Sequence, residues 1–185
     1  MNWSYIAGYF DGEGSLLFNI GKERRGGKVG DSYVGGWNIA PSLSLTSFDY
    51  EALKDIGDYI GERGFRVYSL ETKKKREGQT KGAYRLSIFG WDNINKVLRY
   101  LKPHSIVKRE QFEKFKELYT KWKSRPFNPH NYYHKRTWTK DTFIEAMGIV
   151  DTINSLKSRK RGKMNQQFFI NLWRNNANEG YRYTL

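Results

Sequence analysis

Hydrophobic and polar positions repeat with two different periods along this chain, and the switches between them mark its elements. Asn2 is placed to cap a short apolar helix that reaches about Phe10. After Gly12-Glu13-Gly14, residues Ser15-Leu16-Leu17-Phe18-Asn19-Ile20 alternate with period two and predict a strand. A second strand is predicted over 33–46, where Ile39, Pro41, Leu43 and Leu45 share one parity and Asn38, Ala40, Ser42 and Ser44 the other. From Ser47 or Asp49 the period lengthens to that of a helix, with Leu53, Ile56 and Ile60 on one face and Gly61 and Gly64 closing it. Residues 65–70 and 83–89 predict a hairpin pair. A helix from Asp92 turns Ile94, Val97, Leu98 and Leu101 inward and is limited by Pro103. Another spans 105–123, and two more occupy roughly 139–157 and 165–174.

The order is αββαββα followed by helices. Strands in pairs with helices between the pairs predict an α+β fold: an antiparallel, saddle-like sheet covered on one face and open to a ligand on the other, plus a helical C-terminal extension. Residues 1–123 form the core domain in this reading, and 124–185 the extension packed on it. Residues 124–138 read as an ordered connector, because they hold two prolines and several aromatics. His130 and His134 have the spacing of a zinc pair, but Pro126 and Pro129 disfavour the helix that such a pair needs.

Charge narrows the function. Lys and Arg number 33 against 19 Asp and Glu, leaving +14 on 185 residues. A surface this basic repels itself unless it meets a polyanion. At 16% aromatic content the chain has ample core material and is no disordered basic tail. The absence of cysteine excludes a disulfide scaffold, a zinc–thiolate site and a cysteine nucleophile. No apolar run approaches the ~18 residues of a membrane span. A globular nucleic-acid binder in an intracellular setting is the leading reading, with a basic enzyme acting on other substrates as the alternative.

The chemistry concentrates at Ile6-Ala7-Gly8-Tyr9-Phe10-Asp11-Gly12-Glu13-Gly14. Gly8 and Gly12, four residues apart, leave a helix face on which a second helix can approach closely. The acids Asp11 and Glu13 sit at the helix C-terminus, where the macrodipole disfavours them, so something else must offset them. A divalent cation with hard oxygen ligands, magnesium above all, is suited to that. This segment resembles the LAGLIDADG motif of homing endonucleases, in the single-motif homodimeric class. Leu45-Thr46-Ser47 and Ser105-Ile106-Val107-Lys108 resemble the family's later active-site segments, and residues 143–163 its C-terminal extension. Where the family often has glutamine and then a basic residue, this chain has Ser47 and Glu51.

The resemblance implies a site-specific double-strand DNA endonuclease that cleaves a long, nearly palindromic target by metal-dependent phosphodiester hydrolysis. It implies Glu13 as the direct metal ligand with help from the Gly12 carbonyl. Lys108 would offset developing charge, and Ser47 would hold a water. It further implies a homodimer paired through Gly8, Asp11 and Gly12, encoded by an intron, in an archaeal cytoplasm or an organelle. The polar sheet face and flanking loops offer candidate DNA contacts: Ser15, Asn19, Asn38, Ser42, Ser44, Arg66, Tyr68, Arg85 and Ser87 on strands, Arg24, Arg25, Lys28, Lys73, Lys74 and Arg76 in loops, and Arg159, Lys160 and Arg161 in the basic run at 157–163. Two alternatives stay open. One is an RNA maturase on the same fold, with intron RNA as partner. The other is a non-catalytic basic nucleic-acid-binding protein.

Overall fold

The computed structural model describes residues 1–22, 37–67, 69–72, 82–127, 136–157 and 164–178. Its elements run α1 (Trp3–Glu13), β1 (Gly14–Lys22), β2 (Trp37–Ser47), α2 (Tyr50–Glu62), β3 (Ser69–Thr72), β4 (Tyr84–Phe89), α3 (Trp91–Leu101), α4 (Arg109–Lys123), α5 (Lys140–Ser155) and α6 (Gln166–Asn178). The first seven give the αββαββα order, and the strands form one sheet in the order β1-β2-β4-β3. β4 is antiparallel to β2 on one side and to β3 on the other. The chain divides into two compact units, Met1–Asn19 with Ile39–Glu113, and Ile20–Asn38 with Lys114–Leu185. The boundary between these units in the second half of the chain falls within α4.

In the first unit, α1 is capped by Asn2, whose side chain accepts from the Tyr5 N–H at 2.9 Å. It buries Ile6, Ala7 and Phe10 and packs on α3. Asp49 caps α2 through the Ala52 N–H, which settles the start between Ser47 and Asp49. α2 lays Leu53, Ile56 and Ile60 against β4. The chain leaves α2 through Gly64 at φ +79°, a conformation that costs a side chain with a Cβ dearly and glycine almost nothing. In β2, Ile39, Pro41, Leu43 and Leu45 are all buried, as their shared parity predicts. Pro41 is tolerated because pairing with β4 begins only at Ser42, opposite Phe89, so no ladder bond to β4 is lost.

Two boundaries differ from the sequence reading, each for a local reason. β3 starts at Ser69 and not at 65. The Asn93 side chain accepts from the Arg66 N–H at 3.2 Å and donates to the Arg66 carbonyl at 2.7 Å, so this backbone is satisfied by a side chain instead of a strand. Likewise α4 starts at Arg109, because residues 105–108 are bonded to Asp11.

The described residues of the second unit lie mainly in helices, with the ends of β1 and β2. Phe143, Phe169 and Trp173 pack as an aromatic cluster with centroids 4.9–5.7 Å apart, joined by Trp37 at 5.1 Å from Phe169. Glu145 on α5 pairs with Lys121 on α4 at 2.6 Å. Asp151 on α5 accepts from the first amide of α6, Gln166, at 2.8 Å. Arg125 lies between the rings of Trp122 and Trp138, 4.8 and 5.3 Å from their centroids. Burial, and then the neighbouring Arg136 charge, push its pKa down to about 10.

Candidate active site

The acidic end of α1 is the chemical focus of the first unit. Helix α1 ends at Glu13, and Gly14 turns the chain at once into β1. A Cβ on Gly14 would lie 2.4 Å from the Phe10 ring, so only glycine permits this tight exit. The two acids then meet different surroundings. Asp11 faces the segment before α4. Its Oδ1 accepts from Ser105 Oγ at 2.5 Å and the Lys108 N–H at 3.2 Å. Its Oδ2 accepts from the N–H groups of Ile106 at 2.7 Å and Val107 at 3.1 Å. Burial alone would raise the Asp11 pKa, but the Ser105 hydroxyl and the three backbone donors together hold it below the ordinary carboxylate value. Glu13 is exposed and makes no hydrogen bond or ion pair with the described residues.

Lys108 reaches back the other way. Its Nζ donates to the Phe10 carbonyl at 2.8 Å and also to the Asp11 carbonyl. These carbonyls belong to the last turn of α1, where a cation complements the helix dipole. Burial lowers the Lys108 pKa, opposed by the charges of Asp11 and Glu13. The Glu13 carboxylate and the Lys108 ammonium therefore share one end of the unit. Ser47, half-buried at the end of β2, accepts from the Asp49 N–H at 3.1 Å, a local turn that precedes α2.

The α1 face opposite its buried side is bare. A Cβ at Gly8 or Gly12 would meet nothing within 4 Å, and Tyr5 beside them is 50% exposed. In the clasp that Asp11 makes on residues 105–108, Ile106 and Val107 are 88% and 70% exposed, an apolar pair that sequence patterning did not single out.

The candidate positions of the polar sheet face differ in exposure and in their place on the strands. Ser44 and Ser87 are paired in register on the two central strands and are only 6% and 4% exposed, so little of either side chain is left for a base. Arg66 is exposed but lies outside any strand, for the reason given by Asn93. Ser15, Asn19, Asn38 and Ser42 stay at least partly exposed on β1 and β2. Arg85 is partly buried opposite Thr46, and its Nε has no hydrogen-bond partner among the described residues. Arg24, Arg25, Lys28, Tyr68, Lys73, Lys74, Arg76, Arg159, Lys160 and Arg161 lie outside the described residues.

Among the described residues no group of three or more His, Asp or Glu side chains is placed to hold a metal ion. The hard oxygen donors at the end of α1 are still of the right kind for magnesium: an unpartnered carboxylate on Glu13 and the adjacent Gly12 carbonyl. No helix among the described residues is long and apolar enough to cross a membrane.

Neither a protein-family match nor a match among curated proteins was found for the sequence. Solved structures do match. The homing endonuclease I-CvuI in complex with a DNA target superposes with a TM-score of 0.67 at 16% identity, covering 95% of this chain and 94% of that chain. The archaeal intron-encoded homing endonuclease I-Vdi141I complexed with DNA gives 0.64 at 19% identity, over 94% of each chain. The LAGLIDADG homing endonuclease I-SmaMI bound to cleaved DNA gives 0.59 at 16% identity, with all of this chain matching 51% of that chain. On fold, this chain carries a single LAGLIDADG-type αββαββα unit, shared at low sequence identity with several distinct homing endonucleases.

Proposed function

We propose that this chain is a site-specific, intron-encoded homing endonuclease that works inside cells as a homodimer and hydrolyses both strands of a nearly palindromic DNA target. The observation that carries this reading is the division of labour at the end of α1. One acid, Asp11, is consumed by structure, and the other, Glu13, is left exposed and without a hydrogen bond among the described residues, beside a fixed lysine. Glu13 adds no hydrogen bond to the helix end among the described residues, which leaves its carboxylate free to take a cation.

Hydrolysis adds water to phosphorus and breaks the bond to the leaving 3′ oxygen. A bound divalent cation supplies charge neutralisation and an acidified water. Glu13 and the Gly12 carbonyl would hold it, with phosphate oxygens completing the set that one chain leaves short. The structurally similar I-CvuI was crystallised on DNA in the presence of magnesium, with the DNA not cleaved, and in the presence of calcium, so divalent cations of the proposed kind accompany that protein on its target. Lys108 carries a fixed positive charge close to Glu13, placed to offset negative charge that builds on the phosphate oxygens. Ser47 would position a water.

One chain offers one Glu13, and two strands require two. The bare Gly8–Gly12 face of α1 supports pairing of two copies there. The match of this whole chain to about half of I-SmaMI is in keeping with a half-sized unit. Ser15, Asn19, Asn38, Ser42 and Arg85 are the proposed contacts on the sheet, with the basic loops on phosphates.

The test is incubation with magnesium and DNA that spans an intron insertion site, followed by mapping of the ends. Paired cuts leaving short 3′ overhangs support the reading, and binding without cutting under calcium should accompany them. Tight binding to intron RNA with no DNA cleavage at any metal would favour the maturase instead.

A further inference from the structure

Ser105 belongs to none of the roles assigned so far, yet it is the most enclosed polar group of the clasp, at 4% exposure. Its hydroxyl donates to Asp11 Oδ1 at 2.5 Å and accepts from the Lys108 N–H at 3.3 Å. The shorter bond is the one that crosses 94 residues of sequence. The longer one is local, an i to i+3 turn bond across the residues that precede α4. Lys108 is thereby tied to α1 at both ends. Its N–H is held by the Asp11 side chain and by Ser105, and its Nζ by the main-chain carbonyls of Phe10 and Asp11.

We propose that Ser105 is a positioning residue for the phosphodiester hydrolysis: its hydroxyl orients the Asp11 carboxylate and so fixes Lys108 against the acidic end of α1. This rests on the nuclease reading above. Without the hydroxyl, Asp11 Oδ1 keeps only the Lys108 N–H at 3.2 Å, and the carboxylate loses the donor that sets its rotation. The lysine then moves with the segment 105–108. Displacements of about 1 Å in such a group can lower a rate on the order of a hundredfold.

Ser105→Gly removes the hydroxyl from a turn whose backbone glycine can adopt, and Ser105→Thr keeps the hydroxyl. Two readouts are taken on Ser105→Gly and Ser105→Thr. The first is amide hydrogen exchange at Ile106 and Val107, in the free protein. Those amides precede α4 and are held by Asp11, so their protection reports the clasp whether or not DNA is cut. The second is single-turnover cleavage at saturating target, alongside target affinity. Ser105→Gly is expected to lose about tenfold or more in protection and in cleavage rate, with affinity changed less than about threefold, and Ser105→Thr to restore both. Unchanged protection in Ser105→Gly overturns the proposal. So does lost protection with wild-type cleavage, and so does a Ser105→Thr variant as impaired as Ser105→Gly. A wild-type protein that cuts no target, with protection lost in Ser105→Gly, contradicts the nuclease reading and leaves the clasp standing.

Discussion

Two acids two residues apart, Asp11 and Glu13, have separate fates, and that separation can be measured. Asp11 accepts four hydrogen bonds, three of them from backbone N–H groups. Asp11→Asn replaces one acceptor oxygen by an amide that faces donors. It should therefore lower stability by roughly 1–3 kcal/mol, the usual scale for losing bonds to a charged group, as read by urea unfolding. A variant as stable as the native chain would show that the clasp adds nothing to folding. Asp151 gives a test of opposite sign. Its burial raises the folded pKa above the ordinary 3.8, against the lowering effect of the Gln166 N–H. The folded state then binds this proton more readily than the unfolded one. The contribution of Asp151 to stability grows as pH falls through the raised value and levels off below about 3.8. Asp151→Asn keeps an acceptor for Gln166 and removes the charge, so it should be at least as stable as the native chain at neutral pH and lack that acid-side gain. An identical native-to-variant difference at pH 7 and near pH 4 would contradict the buried-charge assignment. The motif marked Asp11 and Glu13 in the sequence. It could not show that Ser105 closes on Asp11, because that bond joins positions 94 apart.

At the level of elements, periodicity carried far because each face has one job. The parity of β2 and the i, i+3, i+7 spacing of α2 both appear in the burial. Where boundaries moved, a long-range side chain had taken over a backbone group: Asn93 at Arg66, and Asp11 at residues 106–108. Local patterning contains no signal for such a substitution. Asn93→Ala should free the Arg66 backbone to water and cost about 1 kcal/mol, measured by chemical unfolding. No loss at all would mean that water replaces Asn93 completely. The reverse case is the outer face of α1. Gly8→Leu adds bulk where a Cβ meets nothing in the single chain, and leucine is the better helix former. Monomer stability should hold or rise, while pairing through this face should be lost in sedimentation. A Gly8→Leu chain that still dimerises would place the two-fold axis elsewhere.

For the whole molecule, the net charge of +14 pointed to a polyanion, and the alternating sheet pointed to a face that could meet one. Which polar-face residues keep surface was not legible. Ser44 and Ser87 have the right parity, but they sit opposite each other on the two central strands, almost fully covered. Parity tells which way a side chain leaves a strand and says nothing about what stands around it. The central claim joins these scales: a LAGLIDADG-type fold presents Glu13 as a metal-holding acid on a DNA-binding dimer. Glu13 makes no hydrogen bond or ion pair with the described residues, so Glu13→Gln should fold and melt like the native chain. It should bind target DNA at least as tightly, since one negative charge near phosphate is gone. Cleavage under magnesium should nevertheless fall by orders of magnitude, because a lost metal-ligating charge removes several kcal/mol of transition-state stabilisation. The decisive measurement is the single-turnover cleavage rate of Glu13→Gln against the native chain, on a target that both bind. A drop of about a thousandfold or more with binding intact is the predicted result, and cutting at the native rate would contradict the account.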